Sequence, residues 1–80
     1  MDLITARNVL AIAAAHKNEG MGTSAESCFI DGLAQVEKGN FKNAVLWGIR
    51  SLSHSVGVFH FRYKTACEVA GLDPDTAHRL

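Results

Sequence analysis

The residues with the most reactive side chains in this 80-residue chain are two cysteines, Cys28 and Cys67, and four histidines, His16, His54, His60 and His78. A cysteine beside a histidine can act as a thiolate nucleophile, and about four such side chains can hold zinc. His60, Lys64 and Cys67 fall at helical spacing and would share one face. The spacing fits neither chemistry well. Cys28, His54, His60 and Cys67 form no CxxC and no HxxxH, the short pairs from which zinc sites are commonly built. A serine elbow, a phosphate-cradling glycine loop and a tight carboxylate pair are all missing from the sequence. The expectation is a protein with no catalytic residues, no metal site and no cofactor. Both cysteines sit at apolar-periodic positions and read as small buried hydrophobes in a reduced cytoplasm. His16 and His78 read as helix-end residues, favoured by the C-terminal dipole.

A different grouping points to recognition rather than reaction. Asn43, Trp47, Arg50, Ser51 and His54 recur at three- and four-residue intervals and share one side of a helix, with Trp47 off the apolar stripe. Tryptophan and arginine are the residues most enriched as interface anchors. The competing reading packs Trp47 beneath the N-terminal helix and leaves Arg50 and His54 solvated.

Charge favours the first reading locally but not globally. Formal net charge is zero, which argues against a general binder of nucleic acid or membranes. Yet residues 38–67 carry Lys38, Lys42, Arg50, Arg62 and Lys64 with no acid, while acids prevail on either side. This basic middle could meet an acidic or mixed protein surface, with Asn43, Trp47, Arg50, His54, Arg62 and Lys64 as the contact residues. A nucleic-acid-linked regulator using residues 38–64 is the alternative, and self-complementary packing in a homodimer is also compatible.

These side chains need helices to place them. Leu3, Ala6, Leu10, Ala13 and Ala14, widened by Ile4, Val9 and Ile12, predict a helix from Asp2, its cap, to about Lys17. Glycines at positions 20 and 22 break it. Thr23-Ser24-Ala25-Glu26 has capping-box spacing, and Ala25, Cys28, Phe29, Gly32, Leu33 and Val36 follow as one stripe. Gly39 predicts a left-handed helix end, and Asn40 a cap for a third helix running from Phe41 to about Val56. Gly57 ends or bends it. Phe59, Tyr63, Ala66 and Ala70 predict a fourth helix over 58–70. Gly71-Leu72 closes that helix, and Asp73-Pro74 opens a short terminal turn. The expected fold is all-α: one domain spanning 1–80, a small bundle of four helices with a central antiparallel helical hairpin and a short C-terminal helical turn.

Gly32 and Gly48 lie eight residues either side of Asn40. A glycine inside a helix costs ~1 kcal/mol relative to alanine, so two of them predict a close crossing of the hairpin's helices. Hydrophobic residues make up 48% of the chain, a generous supply for a domain that buries only about 60% of its unfolded surface. Leu46, Val58, Phe59 and Phe61 exceed one stripe per helix and predict a homodimer through the third and fourth helices. With Asp2 at the N-terminus and only the short alanine-rich stretch Val9–Ala15, the chain is expected to be cytoplasmic, without membrane partners.

Two resemblances extend this reading. Residues 25–56, with Gly32, Gly39, Phe41 and Ala44 at the small and aromatic positions, resemble a single tetratricopeptide-type hairpin. Asp31, Gly48, Ser51 and Val56 depart from that pattern. The resemblance implies peptide or protein binding. Residues 63–80, through Cys67, Ala70-Gly71-Leu72 and Asp73-Pro74, are similar to short helical proteins encoded by phages and prophages. That similarity implies a compact inhibitor that occludes a host protein, of which anti-CRISPR proteins are one class. Residues 66–80 also resemble the core of a helix-turn-helix, shortened and with Asp73 and Asp75 opposed to phosphate contact.

Overall fold

The structure, a computed structural model, describes residues 1–54 and 60–74. Four helices are present among them: α1 (Leu3–Gly20), α2 (Thr23–Glu37), α3 (Phe41–Ser53) and α4 (His60–Ala70). No strand occurs among the described residues, and α2 and α3 form the central antiparallel hairpin, so the all-α bundle is as expected. Val56, Val58 and Phe59, the bend at Gly57 and the turn beyond Pro74 lie outside the described residues, as does His78.

Local chemistry sets the helix ends, in two places differently from expectation. Asp2 caps α1 as its type predicts: its Oδ1 accepts the Thr5 amide at 2.7 Å. The helix runs to Gly20, whose φ of 104° stops it. The capping box at Thr23 does not form. Thr23 is already helical, Gly22 holds the cap position, and the Gly22 carbonyl accepts the Glu26 amide at 3.0 Å. That register puts Glu26 one residue past the position from which a carboxylate reaches back to the cap. It points instead at Lys17, 3.6 Å away. Gly39 ends α2 as predicted, with φ of 79° and the Asn40 amide donating to the Gln35 carbonyl at 2.9 Å. Asn40 starts α3 through its backbone only, because its side-chain amide donates to Gln35 Oε1 at 3.1 Å. Gly71 closes α4 in the same way as Gly39, the Leu72 amide donating to the Cys67 carbonyl at 2.9 Å.

The Asp2 carboxyl is held below its ordinary pKa, chiefly because it accepts the Thr5 backbone amide. A depressed folded-state pKa contributes stability that is complete above the unfolded value, about 3.9, and is lost as pH falls through the folded one. The melting temperature of the wild type should therefore exceed that of Asp2→Ala at neutral pH. The difference should close progressively below about pH 4. A difference independent of pH in that range would show that the charge is not what caps α1.

The core is assembled around α1. Ala6, Val9, Leu10 and Ala13 are buried against Ala44, Val45, Ile49 and Leu52 of α3, with Tyr63 and Cys67 closing it from α4. Gly32 and Gly48 do mark close packing: Gly32 admits α3, as the expected hairpin crossing requires, and both glycines also admit α1. A Cβ on Gly32 would stand 2.9 Å from Leu10 Cδ2 and 3.3 Å from the Ala44 carbonyl oxygen. One on Gly48 would stand 2.9 Å from Val9 Cγ1 and 3.2 Å from Leu10 Cδ2. The two glycines are the walls of a socket, and Leu10 is the side chain seated in it. His16 is a second difference. It is 1% exposed rather than at an open helix end. Because α1 continues to Gly20, position 16 lies a full turn inside the helix, on the face of Val9 and Ala13.

Candidate functional site

The outer side of α3 is built as the spacing predicts, with one exception. Ala44, Val45, Gly48, Ile49 and Leu52 take the inward positions. That turns Asn43, Arg50 and His54 to solvent, with Lys42 beside them. Trp47 is half-buried and stands outside the buried cluster; its Cβ abuts the Gly32 backbone of α2. The Arg50 guanidinium covers its ring at 4.8 Å from the centroid. An exposed cation stacked on indole shields the ring from water on one face and leaves the pair displayed together. Neither α3 nor the turn before it contains an acid, while Lys38, Lys42 and Arg50 are exposed there.

Ser51 is the exception. It is fully buried, and its hydroxyl donates to the Ala25 carbonyl at 2.7 Å, with Met21 Sδ at 3.8 Å. It lies one turn past Gly48 and two past Ala44, on the edge of α3 turned to α2. Its role is to tie the hairpin together.

Arg62 and Lys64 do not extend this site as a pair. The Arg62 side chain is 16% exposed, ion-paired to Glu19 of α1 and laid over the Phe61 ring at 5.5 Å. Lys64 is exposed on α4. The face shared by His60, Lys64 and Cys67 is likewise split: Cys67 is in the core while Lys64 points out. Burial pushes the Cys67 thiol pKa up, and burial does the same for Cys28, with Asp31 adding to it and Arg50 opposing. Buried thiols held in the protonated form are poor nucleophiles. Among the described residues, no group of three or more histidine, cysteine or acidic side chains is placed to hold a metal ion. No described helix is long and apolar enough to cross a membrane.

Sequence reasoning missed a second surface. Ile4, counted as widening the core stripe of α1, is 69% exposed, and Phe61 is 59% exposed. Phe61 flanks Ala11 and Ala15 of α1 and Leu46 is half-buried, while Val58 and Phe59, the other two residues expected in a dimer contact, lie outside the described residues. The signal was available in Ile4, Ala11 and Ala15, which recur on the side of α1 opposite the buried stripe.

No family model, curated protein or solved structure matches the chain.

Proposed function

We propose that this is a small cytoplasmic protein-binding domain, without catalytic activity, whose contact face is Asn43, Trp47, Arg50 and His54 on α3. The observation that carries the reading is the half-buried Trp47 under the exposed Arg50 guanidinium, 4.8 Å from ring centroid to charge, on a helix with no acid. A rigid aromatic with an adjacent cation is the combination that dominates binding energy when a partner covers it. The surrounding lysines favour a partner with an acidic or mixed surface, both for on-rate and for orientation. Protein binding is also what the likeness of α2–α3 to a tetratricopeptide-type hairpin implies. Occlusion of a host protein, as in the phage-encoded inhibitors that the C-terminal segment resembles, is the mode of action that needs only such a face.

Quantitative capture from an extract of the source cell, using wild type and Arg50→Glu as paired baits, tests this. Partners retained by the wild type should be depleted by the charge reversal, with little change between about 50 and 200 mM salt beyond screening of surface charge. An identical set on both baits would overturn the assignment. A nucleic acid whose retention falls by orders of magnitude over that salt range would replace it with the phosphate-binding alternative.

A further inference from the structure

Two apolar grooves flank the outer side of α1. One, of about 400 Å³, separates it from α4, with Ala11, Ile12 and Ala15 facing Phe61. The other, of about 300 Å³, separates it from α2, with Ala11 and Ala14 facing Leu33 and Val36. Ala11 lines both, so α1 is a low ridge between two furrows. Phe61, Leu33 and Ile4 stand up around it at 59, 44 and 69% exposure. Large exposed apolar side chains grouped beside apolar grooves mark a contact site rather than ordinary solvent-facing structure.

We propose that this face binds a second copy of the chain, with α1 packed antiparallel on the partner's α1 across a twofold axis near Ala11. Shape supplies the first argument. A twofold contact must be self-complementary, and here each copy offers both protrusions and furrows beside a ridge of small residues that lets the helices approach. Charge supplies the second and sets the orientation. Arg7, on the rim of the α1–α2 groove, makes no ion pair among the described residues. At the C-terminal end of α1, Glu19 is held by Arg62 and Glu26 by Lys17, so that end carries no excess of either sign. Antiparallel packing sets each Arg7 against the other copy's ion-paired, electrically balanced end, whereas parallel packing brings the two unpaired arginines together. Zero net charge adds no bulk repulsion between copies. Area supplies the third. The 18-residue α1 is about 27 Å long. One interhelical spacing on each side widens the face to roughly 18 Å. That is roughly 500 Å² in projection, before side-chain relief, against the ~800 Å² per partner of a standard interface, so the dimer should be a weak one.

Sedimentation equilibrium on the full chain tests it. Wild type should pass from monomer to dimer between about 5 and 500 µM, as a Kd in the micromolar range requires. Ala11→Arg, a substitution at an exposed helical position, should remain monomeric with its helical circular dichroism intact; Phe61→Ser serves as the second variant. Ala11→Cys should form a disulfide between copies under mild oxidation, since Cys28 and Cys67 are buried. Trp47→Ala should leave the assembly unchanged, which separates this proposal from the α3 contact face. A wild type monomeric throughout, a dimer indifferent to both Ala11→Arg and Phe61→Ser, or a dimer lost on Trp47→Ala would each overturn it.

Discussion

Leu10→Ala should lower stability by about 4 kcal/mol, toward the upper end for truncation of a buried leucine. The size follows from the socket. Leucine truncation costs least where neighbours can relax into the space, and here two of the walls are Gly32 and Gly48, which have no side chains to move. For a domain of this size each kcal/mol is worth about 4–8 °C, so the melting temperature should drop by roughly 15–30 °C. Total stability in a chain this short is of the order of 4–12 kcal/mol, so a large fraction would be spent on one residue. Thermal and urea unfolding followed by circular dichroism would measure the loss. A cost under about 1.5 kcal/mol would mean that the helices close over the gap, and that Leu10 is not what the glycines accommodate.

The reverse experiment should be nearly as damaging. Gly48→Leu drives a side chain into Val9 Cγ1, 2.9 Å from where its Cβ would lie, and into Leu10 beyond. Overpacking of this kind costs ~1–3 kcal/mol or more, and leucine's better helix propensity returns only about 1 kcal/mol of it. An unchanged melting temperature would show that the position is not a tight crossing. The two sites should also be coupled. Gly32→Ala meets Leu10 Cδ2 at 2.9 Å in the wild type, and that obstacle is absent in Leu10→Ala. The substitution should thus cost less in the second background than in the first, with the Ala44 carbonyl oxygen at 3.3 Å still facing the new methyl in both, and that difference is the coupling expected of residues in contact.

What the sequence made legible, and what it did not, divides by the distance over which the cause acts. The helices and the inward stripe of α3 follow from periodicity, and the endings at Gly39 and Gly71 follow from the left-handed backbone that glycine takes without strain. Gly32 and Gly48 announced themselves as anomalies, but their partner Leu10 lies on another helix, and no local pattern names it. The caps show the same limit at short range. Thr23 and Asn40 are the right residue types, yet a one-residue shift in register and a competing bond to Gln35 moved their side chains elsewhere. Ser51 looked polar and therefore outward; the Ala25 carbonyl, a tertiary acceptor, drew it in. His16 was misplaced because α1 outran its expected end. The outer face of α3 was readable because all five of its expected members lie on that helix or its cap, and only Ser51 turned out to be buried. The grooves beside α1 were not, because each needs two helices to exist.

The face on α3 is the centre of the functional account, and Trp47→Ala measures it most directly. With a captured partner in hand, the affinities of wild type and variant would be compared by isothermal titration, alongside the helical circular dichroism of each. The account predicts that the variant stays folded and binds at least ~2 kcal/mol more weakly, about 30-fold in Kd. Unaltered affinity would contradict it, and so would a variant that unfolds, since Trp47 would then belong to the core and not to the contact.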